Sequence, residues 1–205
     1  MSVLTVVRHG QARPFEGVPD ALSERGQLQA RALGEFWARE GTEFDEVISG
    51  KLARQRQTAA LAWSAPAQLS DGWNEYDAEN IVGSVATPAR DREFQKMFEA
   101  KMLKWLNAVT SDAAEPFSHF RARILQGLRR IQDGPSNRRV LLFTSGGPIG
   151  LLVQTALGAP ESTFLDVNWR VRNCSITEFL FTKDRLTLDS FNSVTHLPGP
   201  LRTYR

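Results

Sequence analysis

The chain has 205 residues, 41% of them hydrophobic and 23% charged, which is enough apolar side chain for one sizeable core and excludes wholesale disorder. Its 25 Lys and Arg against 23 Asp and Glu leave a net charge of +2, far from the strongly basic balance of a nucleic-acid binder. A single cysteine, Cys174, excludes an internal disulfide, and beside only three histidines it does not suggest a Cys/His zinc site.

Residues 1–7 are apolar but run straight into Arg8 and His9 without a basic leader or a cleavage site, so they read as a strand and not as a signal peptide. The short β-branched run 3–7 suits a strand covered on both faces. Ser23 is placed to cap a helix with Leu28, Ala32, Leu33, Phe36 and Trp37 on one face and Gly41 as its stop. A strand is predicted at 46–49, then a helix over 52–63 burying Leu52, Ala59, Ala60 and Ala62, then a short strand near 67–69. From about 87 to 132, Phe94, Met97, Phe98, Met102 and Trp105 recur at helical spacing, as do Phe117, Phe120, Ile124, Leu128 and Ile131. Two core-facing helices joined by a polar linker at 110–116 are expected. A strand at 139–144 then turns through Ser145-Gly146-Gly147-Pro148 into a helix ended by Gly158 and Pro160. Strands at 175–181 and 186–191 close the chain. Such alternation argues for an α/β fold, a three-layer α/β/α sandwich on a mostly parallel sheet. No apolar stretch is long enough to span a membrane, and a soluble, reduced, cytoplasmic chain is expected.

Arg8-His9-Gly10 falls at the carboxyl end of the first strand, where open α/β sheets bind ligands. A neutral histidine is a competent nucleophile toward phosphorus. A neighbouring guanidinium lowers its pKa and grips phosphate oxygens, and glycine lets the backbone come close to a bound anion. A second run, Ser49-Gly50-Lys51-Leu52-Ala53-Arg54-Gln55-Arg56-Gln57-Thr58-Ala59, follows the second strand and opens a helix. An arginine there adds positive charge of the kind that phosphoryl transfer needs at the equatorial oxygens.

Together the two runs resemble the histidine phosphatase superfamily, the phosphoglycerate-mutase-like clan. The Arg-His-Gly signature is matched, and so is the later pattern of leucine, arginine, glutamine and threonine, by Leu52, Arg54, Gln57 and Thr58, with Gly50 in the small-residue slot. The stretch 22–30 is similar to the family's opening of its first helix. The resemblance spans essentially the whole chain and implies one domain, 1–205, with a helical insert at about 87–132 near the active site. By that resemblance His9 is the phosphorylated nucleophile and Arg8 and Arg54 hold the phosphoryl oxygens. Glu75, in Asp71-Gly72-Trp73-Asn74-Glu75-Tyr76-Asp77, is the general acid, with Asp77 as runner-up. Gly10, Gln11, Ser145 and Gly146 are expected to bind substrate. The expected partner is a small phosphorylated substrate, with no cofactor, metal, nucleic acid or membrane involved.

The pattern breaks where the family carries a second catalytic histidine. Here the turn reads Thr144-Ser145-Gly146-Gly147, which resembles a variant branch that also has glutamine after the first motif, as Gln11 is here. Serine offers one hydrogen bond and no charge, and the glycines and helix start add backbone donors. Loss of one transition-state donor typically costs about 10²–10³ in rate, so a slower enzyme is expected. His119 is expected at the surface and His196 packed or solvent-facing, with a phosphate contact as its alternative. A phosphomonoester hydrolase working through phosphohistidine is the leading function. A catalytically degenerate phospholigand binder rests on Ser145 alone. A phosphoglycerate mutase is disfavoured by the departures at 11–15 and 74–77. Arg13, Arg170 and Arg172 are candidates for contact with a further acidic group of the substrate, and the 87–116 segment for the pocket roof.

Overall fold

A computed structural model describes residues 1–13, 20–82, 92–107 and 115–204. Among the described residues six strands and seven α-helices carry the architecture: β1 (Ser2–Arg8), α1 (Glu24–Arg39), β2 (Glu46–Ser49), α2 (Ala53–Ala62), β3 (Gln68–Leu69), α3 (Ala78–Val82), α4 (Arg92–Leu106), α5 (Phe117–Gln132), β4 (Arg139–Thr144), α6 (Gly146–Leu157), α7 (Thr163–Asn168), β5 (Ile176–Phe181) and β6 (Leu186–Ser193). The sheet order is β3-β2-β4-β1-β5-β6. β1 runs parallel to β4, from Val3 opposite Arg139 to Arg8 opposite Thr144, and β4–β2 and β2–β3 are also parallel. β5 and β6 turn antiparallel at the other side of β1. The sheet is therefore mostly parallel, as expected, with an antiparallel edge.

Alternation along the central strands sorts their side chains into two cores. Leu4, Val6, Val140 and Leu142 join Trp105, Phe120, Ile149 and Phe164 in one core. Val7, Leu141 and Phe143 join Leu33 and Trp37 of α1 and Ala59 and Ala62 of α2 in the other. Burial on both faces explains why these strands read as continuous apolar runs and not as alternating ones.

Ser23 caps α1 by accepting from the Gly26 N–H at 3.1 Å, and Gly158 ends α6 in the left-handed conformation at φ 58°. Three expected core positions are corrected. Leu28 is 54% exposed; Gln29 lies inward instead, where its amide donates to the Leu201 carbonyl at 2.6 Å and to the Thr203 hydroxyl at 2.8 Å. Ala60 is exposed, while Gln55 and Thr58 occupy the buried side of α2. Met97 is exposed whereas Met102 and Trp105 are buried, so the inward face of α4 is narrower than its apolar stripe. Short α3 and α7 escaped a sequence pattern that needs several turns to show itself. The Phe94 side chain, most of the 110–116 linker and residues 87–91 of the expected roof lie outside the described residues.

Candidate active site

The carboxyl ends of β1, β2 and β4 converge because the three strands are parallel and adjacent. At the tip of β1 the His9 N–H donates to the Thr144 carbonyl at 2.9 Å. The next N–H, of Gly10, donates to the Thr58 hydroxyl at 3.0 Å, and that hydroxyl donates in turn to the Arg54 carbonyl at 2.7 Å. Thr58 thus locks the first turn of α2 to the Arg8-His9-Gly10 run. Gly10 also lies against Gly26 at the start of α1: a Cβ on Gly10 would stand 2.5 Å from the Gly26 carbonyl oxygen. Only glycine allows that approach.

His9 is buried, and its two ring nitrogens have partners of opposite kind. Nδ1 lies 2.7 Å from the Gly10 carbonyl oxygen, a pure acceptor, so Nδ1 carries the proton. Nε2 receives the Arg54 Nε–H at 3.0 Å, and because a guanidinium only donates, Nε2 holds its lone pair there. Burial, then the charges of Arg54 and Arg8, hold the imidazole pKa well below its ordinary 6.5, against the opposing bond to Gly10. The ring is neutral with Nε2 unprotonated, the form a nucleophile needs.

Arg54 also reaches Asp20 through Nη1, a partner that no sequence signal disclosed. Arg8 donates through Nη1 to the Val171 carbonyl and, at 2.8 Å, to that of Tyr204, while its charge acts on both His9 and Glu75. The half-buried Glu75 carboxyl accepts from the Gly147 N–H at 3.1 and 3.0 Å and from the Tyr76 N–H at 3.2 Å. Burial raises its pKa, with Gly147, Arg54 and Arg8 opposing. His9, Arg8, Arg54 and Glu75 therefore share one electrostatic site. Asp77 is exposed and caps α3, accepting from the Asn80 N–H at 3.1 Å.

The expected substrate-binding residues divide. Gly10 lies beside His9. The Gln11 side-chain oxygen accepts from the Ser23 hydroxyl at 3.0 Å and its N–H donates to Gln29 Oε1 at 2.8 Å, so it secures the start of α1. Ser145 is wholly buried and its hydroxyl receives the Gln55 amide at 2.9 Å. Gly146 packs on Asn168 at the N-terminus of α6, and the Gly147 N–H is committed to Glu75 rather than open to an anion. Ser145 and the start of α6 thus frame the site from within. His196 packs against the Phe36 ring at 5.7 Å, and burial lowers its pKa to about 4. His119 is exposed, as expected, and Arg172 is bound to the Tyr204 hydroxyl at 3.0 Å. Among the described residues no cluster of histidine, cysteine or carboxylate side chains is arranged to hold a metal ion, and no helix is long and apolar enough to cross a membrane.

A mostly parallel α/β sandwich with a neutral histidine at the tip of its central strand, flanked by two guanidinium groups and a half-buried carboxyl, defines a class of protein built to handle phosphoryl groups. The histidine phosphatase superfamily (branch 1) profile matches residues 4–194, and the chain belongs to that family. It is similar to the 2,3-bisphosphoglycerate-dependent phosphoglycerate mutase of Methylobacterium radiotolerans, 29% identical over 187 residues covering 82% of this chain and 85% of the relative. Among solved structures, Bacillus stearothermophilus YhfR superposes with a TM-score of 0.75 at 20% identity, over 96% of this chain and 99% of that one. The phosphoserine phosphatase of Entamoeba histolytica, solved with phosphoserine, superposes with a TM-score of 0.68 at 21% identity, over 97% and 100% of the two chains. Both superpositions speak to the fold. The proteins it resembles, in sequence or in fold alone, thus include a mutase and a phosphatase.

Proposed function

We propose that this chain is a phosphomonoester hydrolase that works through a phosphohistidine at His9. The observation that carries the reading is the division of labour between the two ring nitrogens, with Nδ1–H fixed on the Gly10 carbonyl and the Nε2 lone pair facing Arg54. In the first step the Arg54 Nε–H turns from Nε2 to a phosphoryl oxygen, the freed Nε2 lone pair forms a bond to phosphorus, and the bond from phosphorus to the ester oxygen breaks. The Glu75 proton passes to that oxygen, and an alcohol leaves. In the second step water attacks phosphorus and the P–N bond breaks. The Glu75 carboxylate takes a proton from the water, and inorganic phosphate departs with His9 neutral again. The guanidinium groups of Arg54 and Arg8 supply the positive charge that the phosphoryl oxygens require. The raised Glu75 pKa suits a group that must hold a proton at rest.

Rapid quenching during turnover of an aryl phosphate should trap acid-labile, base-stable phosphate on the protein. His9→Ala should abolish both the label and hydrolysis. Hydrolysis by His9→Ala at the parent rate would reject the reading.

A second reading, a phospholigand-binding protein without turnover, is favoured by one observation: the wholly buried Ser145 hydroxyl, which accepts from Gln55, brings no positive charge in place of a second imidazole. The same trap separates the two, because a binder shows saturable phosphate affinity and no phosphoenzyme.

A further inference from the structure

We infer that Arg123, on α5, is the positioning residue of the proton-donating Glu75, an inference that rests on the role proposed for Glu75. The Arg123 guanidinium faces the main chain of the loop that carries the carboxyl. Nη1 donates to the Asn74 carbonyl at 2.7 Å and to the Gly72 carbonyl at 3.0 Å, and Nη2 to the Glu75 carbonyl at 3.3 Å. Carbonyl oxygens turned toward one point repel one another, and a planar cation with several donors holds them together where a point charge would not. The fork itself is fixed. Glu115 receives Nε at 2.6 Å through one oxygen and Nη2 at 2.9 Å through the other, and the guanidinium lies 4.7 Å over the Phe120 ring.

Glu75 is therefore gripped at both ends, its carboxyl by the Gly147 N–H at the start of α6 and its own carbonyl by Arg123. A second observation fixes α5 against the same loop. One turn beyond Arg123, Gly127 lies so close to Trp73 that a Cβ would stand 2.7 Å from its ring. The Trp105 indole donates to the Glu115 carbonyl at 2.8 Å, tying α4 into the same assembly. Arg123 and Glu115 thus couple the helical segment to the protonation step without touching the reacting atoms.

Leaving-group dependence tests this. In kcat/KM, 4-nitrophenyl phosphate expels a stable anion that needs little protonation, whereas phenyl phosphate depends on a proton donor. Displacing a catalytic group by about 1 Å costs on the order of 10²-fold. Arg123→Met, which keeps the stem and removes the donors, should lower kcat/KM for phenyl phosphate by about 100-fold and for 4-nitrophenyl phosphate by far less, and should move the alkaline limb of the pH profile. Glu115→Gln, which leaves the guanidinium in place but slackens it, should show the same selectivity at smaller size and guards against a variant that fails to fold. Glu75→Gln serves as the reference. If Glu75→Gln is selective and the Arg123 and Glu115 variants lose both substrates equally, the positioning role is overturned while the role of Glu75 stands. If Glu75→Gln is itself unselective, both fall.

Discussion

The side-chain amide of Gln55 donates to the Ser145 hydroxyl at 2.9 Å, and both residues are fully buried. The orientation of that amide is fixed by its other partners. Its oxygen receives the Leu52 N–H at 3.2 Å and its nitrogen also donates to the Trp73 carbonyl at 3.1 Å. Gln55 therefore fills the space beside the position where the family carries an imidazole. Ser145→Ala should leave a buried N–H of Gln55 without its acceptor, costing about 1–3 kcal/mol of stability, with turnover reduced by less than the 10²–10³ of a lost transition-state donor. Ser145→His alone should overpack against Gln55, costing about 1–3 kcal/mol, without a gain in rate. The pair Ser145→His with Gln55→Ala should raise turnover above the parent. Denaturant melts and steady-state rates on the four proteins check all three outcomes.

Two opposed pKa displacements set the pH profile. Burial, with Arg54 and Arg8 behind it, pulls His9 down from 6.5, and burial pushes Glu75 up from 4.5. The productive form pairs a neutral His9 with a protonated Glu75, so the acid limb of kcat/KM should lie well below 6.5 and the alkaline limb above 4.5. Arg54→Met removes one of the charges acting on His9 and should move the acid limb up toward 6.5. For stability the sign follows from linkage. A histidine whose folded pKa is depressed contributes stability that is present above 6.5 and lost as pH falls toward the folded value. His9→Ala should therefore show a flatter dependence of Tm on pH below 6.5 than the parent.

Phe120 joins the helical segment to the site. It is fully buried, with Tyr76, Trp105 and Phe164 at ring distances of 5.7, 5.7 and 5.8 Å. Phe120→Ala should cost about 3–5 kcal/mol in denaturant unfolding. Because Tyr76 follows Glu75 directly, activity measured well below the melting midpoint should also fall, whereas an equally buried Phe179 on β5, outside that ring cluster, should cost stability with less effect on turnover.

The strands were legible because burial on both faces writes itself as unbroken β-branched and aliphatic runs, so that Glu46–Ser49 and Arg139–Thr144 begin and end where the pattern does. His9, Arg54 and Glu75, which the fold brings near one another, could be picked out as candidates because each lies in a short run that follows a strand. The polar residues that organise the site could not. Gln29, Gln55 and Thr58 sit at inward positions of helices, where an apolar pattern assigns Leu28 or Ala60 instead. They are buried because each satisfies main-chain groups from another element, and such partners are far away in sequence: 18 residues separate Gln55 from Trp73, and 172 separate Gln29 from Leu201. Arg123 shows the same blindness, since an arginine on an amphipathic helix reads as a solvated face until the loop it grips is in view.

Arg54 divides its donors between His9, through Nε, and Asp20, through Nη1. Asp20 stands in the left-handed region at φ 71°, and both side chains are about one-fifth exposed. A phosphoryl group approaching His9 must share the guanidinium with that carboxylate. Removing the competing negative charge should favour the incoming anion, and a partly exposed pair of this kind is worth about 0.2–1 kcal/mol, so the gain is a few-fold. Asp20→Asn should therefore tighten inhibition by inorganic phosphate by about two- to fivefold, with KM for an aryl phosphate falling in step. Its kcat should change little, because the Nε contact that orients His9 is retained. Arg54→Lys should lose both arms together: a single ammonium cannot serve two partners on separate nitrogens, and phosphate affinity should weaken where Asp20→Asn strengthens it. Phosphate titrations of the two variants, read against the parent at one ionic strength, distinguish a carboxylate that competes with substrate from one that merely braces the arginine, for which both variants would weaken binding.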